Sequence, residues 1–275
     1  MKKILVPTDF TPVSNVAIQY ASEISAITKS EVHTLHIVKS KSDTDEAQAK
    51  LTKQSEEHKQ KNGLDIKTIV KVGNIFDDIP KVAEEEDAEL IVMGTHGLQG
   101  MQFIVGSHAL RVITESKVPM VIVQEQTKKS ARISRLLVPL DLHKETKQKL
   151  KMACDVAEKF SAEIHLISPK ETDEYLHNRL ARNVSYAEGY IEDRKIPYKT
   201  TVTESGSNGF VKELLKYAKY AEIDMICILN TTEEQLIHAF GRDSEQKLIT
   251  NEAGIPVMIL NLVATLKDSN SIFAQ

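Results

Sequence analysis

Lys3-Ile4-Leu5-Val6-Pro7-Thr8-Asp9 returns as Arg135-Leu136-Leu137-Val138-Pro139-Leu140-Asp141, 132 positions further on, and this repetition decides the fold. At the same offset Glu31-Val32-His33 returns as Glu163-Ile164-His165. Leu90-Ile91-Val92-Met93 is echoed by Met225-Ile226-Cys227-Ile228, and Val118-Pro119-Met120-Val121-Ile122-Val123 by Ile255-Pro256-Val257-Met258-Ile259-Leu260. Segments recurring in the same order define a duplicated unit of roughly 130 residues, the size of one ordinary domain. Domains are therefore expected at 1–130 and 131–275, joined across the polar, basic stretch Glu125–Ser134 (Lys128, Lys129, Arg132).

The apolar runs inside each unit are short, β-branched and continuous, with no polar alternation. That pattern belongs to strands buried on both faces, hence to a parallel sheet covered by helices. Strands are expected near 3–8, 31–38, 65–72, 90–94 and 119–124, then near 135–140, 162–168, 198–203, 224–229 and 256–261. Between them Pro12–Thr28 sets Val13, Val16, Ala17, Tyr20, Ala21, Ile24 and Ile27 on one helical stripe, with Thr11 as N-cap and Pro12 as N1. Asp43–Asn62 is charged and poor in apolar residues, and reads as a solvated helix. Alternation of strand and helix implies right-handed crossovers and two tandem doubly wound, open, Rossmann-like α/β domains of about five strands each.

The chain of 275 residues is 41% hydrophobic and 27% charged, a globular composition. A net charge of −4 gives no electrostatic reason to expect nucleic acid. Two cysteines, Cys154 and Cys227, lie in apolar runs and suit structural roles in a reducing compartment. The apolar run after Lys2 and Lys3 stops at Pro7, too short for a signal peptide, and no stretch reaches the ~18 apolar residues of a membrane span. A soluble, cytoplasmic protein is expected.

Four of the 11 glycines fall at 94, 97, 100 and 106, in Gly94-Thr95-His96-Gly97-Leu98-Gln99-Gly100 and Gly106-Ser107-His108. This stretch follows a strand and leads into a helical pattern (Ala109, Leu110, Val112, Ile113). Glycines let backbone amides approach a ligand, and a helix beginning at Ser107 offers unpaired N–H groups with a positive dipole end. Open α/β sheets bind at the carboxyl ends of their strands, which is where this loop falls. The chemistry is that of an anion site, most often a nucleotide phosphate.

Gly94-x-x-Gly97, a spacer, then Gly106-Ser107 resembles the signature of ATP-binding universal stress proteins, and Ile4-Leu5-Val6-Pro7-Thr8-Asp9 resembles that family's first strand with its aspartate. The resemblance runs through nearly the whole chain as a tandem pair, and implies an adenine nucleotide alpha hydrolase-like fold. It implies further that Asp9 lies by adenine or ribose with Pro7 and Thr8 beside it, and that Ile37 offers backbone groups to adenine. Gly94, His96, Gly97, Gly106 and Ser107 would surround ribose and phosphates, with His108 giving its backbone amide. The implied ligand is ATP or another adenine nucleotide, with or without Mg²⁺, in the first half alone. The spacer of eight residues from Leu98 to Val105 is one shorter than the family's. A nucleotide-free scaffold or protein-interaction member of the family is therefore the alternative reading.

The second copy reads Ile228-Leu229-Asn230-Thr231-Thr232-Glu233-Glu234 where the first has its glycines, keeps only Gly241 of the later pair, and has Leu140 in place of Thr8. Carboxylates facing phosphate repel it, so this half is expected to be a scaffold or to serve a different ligand. Asp141 is kept, with a turn-capping role as fitting as any other. The sequence has no Gly-x-x-x-x-Gly-Lys-Ser/Thr, no Gly-x-Gly-x-x-Gly after a strand, no nucleophile elbow and no zinc spacing among its nine histidines. Gly206-Ser207-Asn208-Gly209 reads as a turn and helix cap. An enzyme is not the expected reading, and any ATPase activity should be slow, since no Walker-type lysine or general base faces the loop. An adenylate-forming or pyrophosphatase-type enzyme ranks last. The two halves are expected to pair through their last strands (Val121, Ile259), and a homodimer through the remaining surface stays open.

Overall fold

The computed structural model describes residues 2–95, 112–113, 115–128, 130–140, 142, 146–230 and 244–261. The chain divides into two units, 1–131 and 132–275.

In the first unit Lys3–Pro7 forms β1, Pro12–Thr28 α1, Glu31–Val38 β2, Thr44–Asn62 α2, Ile66–Val72 β3, Ile75–Glu85 α3, Ala88–Gly94 β4 and Met120–Val123 β5. The strands are parallel and lie in the order β3-β2-β1-β4-β5. Ile4, Val6, Leu90, Ile91 and Val92 are completely buried because helices cover both faces of the sheet, as continuous β-branched runs require. Helix α1 buries Val13, Val16, Ala17, Tyr20, Ala21 and Ile24, while Ile27 at its end is exposed. Thr11 occupies the N-cap position, but its side chain makes no cap bond because the hydroxyl turns back to Asp9.

The second unit repeats the plan with β6 (Arg135–Pro139), α4 (Thr146–Phe160), β7 (Glu163–Ser168), α5 (Glu174–Asp193), β8 (Tyr198–Val202), α6 (Ser207–Tyr220), β9 (Met225–Asn230), α7 (Ser244–Ile249) and β10 (Val257–Asn261). Its parallel strands run β8-β7-β6-β9-β10. The duplication reaches the backbone dihedrals. Helices end on left-handed residues at Lys29 and Ser161 (φ 59° and 55°), and at Gly63 and Lys195 (φ 69° and 58°). The expected strands all form, each within two residues of its expected ends. Gly206 caps α6, as the turn-and-cap reading anticipates. Cys154 and Cys227 are buried and free, and burial pushes both thiols up to about 12.

Candidate functional site

The chain order of the first unit fixes where a ligand can lie. From β1 the chain moves to β2 and β3 on one side, then crosses to β4 and β5 on the other. The strand order therefore reverses between β1 and β4. At such a switch point the connections leave in opposite directions and open a crevice beyond the carboxyl ends of the two strands. β1 ends at Pro7 and β4 at Gly94, so residues 8–11 and Thr95 border it.

β2 contributes backbone. The Thr8 amide donates to the Leu35 carbonyl (2.8 Å) and the Gly73 amide to the Val38 carbonyl (2.9 Å). Odd residues of β2 thus turn their peptide groups toward β1, and even ones toward β3. Ile37, half-buried and two beyond Leu35, turns its peptide toward the space past the end of β1.

Residues 7–11 form a tightly tied loop. Pro7 is half-buried and Asp9 exposed, its Oδ1 accepting from the Thr11 amide (3.1 Å) and hydroxyl. Phe10 is left-handed (φ 65°) and, among the described non-glycine residues, is the only one in that region away from a helix C-terminus. Its ring lies 4.4 Å from that of His36, whose Nδ1 donates to the Thr8 carbonyl (2.7 Å). Since a carbonyl only accepts, Nδ1 carries a proton.

Thr8 is buried, so its side chain faces inward rather than toward a ligand. Its hydroxyl accepts from the Phe10 amide (3.2 Å), and its one proton lies between Ser14 Oγ (3.0 Å) and Gln54 Oε1 (3.2 Å). Gln54 Nε2 donates to Asn15 Oδ1 (2.9 Å), which also receives His58 Nε2 (3.4 Å). Burial holds the pKa of His58 below its ordinary value, with Lys61 adding to the effect, and its Nδ1 is buried without a hydrogen-bond partner.

On the far side of the crevice Gly94 is compelled by packing. A Cβ there would stand 2.8 Å from the Val13 carbonyl oxygen and 2.9 Å from its Cγ2, so only glycine lets β4 pass the first turn of α1. The Thr95 amide donates to the Val123 carbonyl (2.8 Å), while its buried Oγ1 has no hydrogen-bond partner. A buried hydroxyl with nothing to bond is costly unless something else supplies the partner. Its position at the switch point suits a ligand acceptor, so the described residues fit a nucleotide. His96, Gly97, Gly106, Ser107 and His108 lie outside the described residues; Val112 and Ile113, which follow them, are helical and buried.

Of the residues expected at the site, Pro7, Thr8, Asp9, Ile37 and Gly94 converge on this crevice. The sequence reading missed Phe10, His36, Gln54 and Thr95. His36 carries no motif of its own among nine histidines, and Gln54 sits in a charged helix.

The corresponding place in the second unit is built differently. Leu140, fully buried, replaces Thr8 and gives its amide to the Ile167 carbonyl (2.7 Å). Lys149 stands where the first copy has Ala17; it is buried, and its ammonium donates to the Pro139 carbonyl. Asp141, Glu233, Glu234, Gly241 and Arg242 lie outside the described residues.

A duplicated, doubly wound parallel α/β domain with a crevice at its switch point is the class these observations define. The universal stress protein family model matches residues 1–124. One universal stress protein of Methanocaldococcus jannaschii is 28% identical over 156 residues, spanning 46% of this chain and 96% of the relative. A second from that organism is 31% identical over 147 residues, spanning 46% of this chain and 84% of the relative. The solved structure of a universal stress protein from Archaeoglobus fulgidus matches with a TM-score of 0.67 at 21% identity, over 94% of this chain and 96% of that one, a likeness of fold. The chain belongs to the universal stress protein family.

Proposed function

We propose that the first half binds an adenine nucleotide, with ATP the leading candidate, and that the second half is a scaffold without that site. The observation that carries this reading is the buried, unpartnered Thr95 hydroxyl at the switch-point crevice, at the head of the glycine stretch. Asp9, with Oδ1 engaged by Thr11, sits at the exposed end of β1 where it can meet a ribose hydroxyl. In the second half a leucine and a buried lysine fill the equivalent floor.

The protein works in this reading as a regulatory binding module of the cytoplasm. Nucleotide occupancy stiffens Gly94–Ser107 and so alters the surface offered to protein partners. Among the described residues no helix is long and apolar enough to cross a membrane, and no group of three His, Cys, Asp or Glu residues is placed to hold a metal.

The test is the melting temperature in millimolar ATP, ADP and AMP with Mg²⁺, for the wild type and a Gly97→Val, Ser107→Ala double variant. Ligand at ~100 times its dissociation constant adds roughly 2.7 kcal/mol, a rise of a few degrees for domains of this size. A rise in the wild type that the double variant loses supports the reading. No rise with any nucleotide favours the scaffold alternative that the shortened Gly97–Gly106 spacer suggests.

A further inference from the structure

The two halves serve as each other's control. Val32 pairs with Ile66 in the first and Ile164 with Tyr198 in the second, all offset by 132, so no insertion separates the segments between these strands. Position 54 therefore answers to 186, and 58 to 190. Some polar groups are kept in both copies. Glu31, His33 and Lys67 (Nζ to Glu31, 2.6 Å) correspond to Glu163, His165 and Lys199 (Nζ to Glu163, 3.2 Å). These lie at the amino ends of the strands, opposite the crevice, and belong to the fold.

Other polar groups occur only in the copy that carries the glycine stretch. Thr8, Asn15, Gln54 and His58 are joined in one hydrogen-bonded chain. Their counterparts are Leu140, Lys147, Tyr186 and Tyr190, and the two tyrosines stack on each other at 6.2 Å instead. Three hydrogen bonds among four polar residues, absent from the sequence of the copy that lacks the glycine loop, point to a shared task.

We propose that Gln54 is a positioning residue of the first-half site, through which α2 sets the loop from Thr8 to Thr11. Helix α2 is charged and buries only Ala47, Leu51, Gln54 and His58, so half of its inward face is polar. A buried amide is tolerated only when both of its ends are bonded, and both ends of Gln54 are. Its Oε1 and Ser14 Oγ together hold the Thr8 proton on the side away from Phe10, which leaves the Thr8 oxygen to receive the Phe10 amide. That bond helps hold Phe10 in a left-handed conformation that non-glycine residues avoid, and so places Asp9 at the crevice. The consequence for binding rests on the nucleotide reading; the clamp on the loop does not.

Amide exchange at Phe10, read by NMR without nucleotide, and the ATP dissociation constant would be measured for wild type, Gln54→Met, Gln54→Glu and Thr8→Val. Met matches Gln in length without its polar atoms, so exchange at Phe10 should quicken roughly tenfold and ATP should bind roughly tenfold more weakly. Glu keeps an oxygen for the Thr8 proton while losing the donor to Asn15, so exchange at Phe10 should stay closer to wild type than in Gln54→Met. A packing role would reverse that order, tolerating Met and punishing Glu. Thr8→Val removes that bond together with the acceptor of the Phe10 amide, so it should quicken exchange at least as much as Gln54→Met and marks the full loss of the clamp. Unchanged exchange at Phe10 in Gln54→Met, whatever Thr8→Val does, overturns the part of Gln54 in the clamp. ATP bound equally well by wild type and Gln54→Met, despite faster exchange, overturns the positioning role. A wild type that binds no nucleotide while exchange still quickens supports the clamp and removes the nucleotide reading.

Discussion

At the scale of single residues the site has two unusual members. Thr95 buries a hydroxyl without a partner, a cost of about 1–3 kcal/mol that a ligand oxygen would relieve. Thr95→Val keeps the shape and removes the orphan. The ligand-free variant should gain about 1 kcal/mol in a denaturant titration, yet bind ATP several-fold more weakly by calorimetry. A variant that loses stability while keeping its affinity would show the hydroxyl serving the fold instead. Gly94 is the opposite case, a residue whose identity is set by the neighbouring helix. Gly94→Ala drives a methyl into the Val13 backbone, and should cost about 1–3 kcal/mol in the same titration. The glycine that the sequence marks as a ligand residue thus has a sufficient reason in packing.

At the scale of elements, the amino ends of β2 and β3 are tied by Glu31, held down to about 2 first by the hydrogen bond from Lys67 and then by that from His33. The ordinary value is 4.5, so in acid the unfolded chain takes up this proton before the folded one does. The stabilisation is complete above about 4.5 and is lost as the pH falls from there toward 2. Glu31→Gln should flatten that part of the stability curve, measured by denaturant midpoints between pH 5 and about 2.5; an unchanged slope would contradict the assignment. The elements themselves were open to reading because their residues answer to one demand each. Ile4-Leu5-Val6 and Leu90-Ile91-Val92 are apolar because two faces are covered, and the α1 stripe repeats because one face is. Gln54 was not open to reading. In a helix of Lys, Glu and Gln, an inward glutamine looks like its solvated neighbours until the partner, 46 residues away at Thr8, is known. The turned-back hydroxyl of Thr11 was equally hidden, since N-cap sequence and N-cap bond are separate facts.

At the scale of the whole molecule, duplication has left one plan with two fates. Both units keep the strand order, the left-handed helix ends and the ion-paired amino edge. The first alone combines Thr8, Gln54, Gly94 and Thr95 at its switch point, where the second has Leu140, Tyr186, Leu229 and Asn230. On the proposed function, divergence at the carboxyl edge with retention at the amino edge is what loss of a ligand from one copy would produce, because the two edges answer to different requirements. The direct measurement is the stoichiometry of ATP binding to the full chain, by equilibrium dialysis with Mg²⁺ at saturating nucleotide. One nucleotide per chain, lost on the Gly97→Val, Ser107→Ala substitution, is the predicted result; none, or one that the substitution leaves in place, would contradict the assignment of the site to the first half.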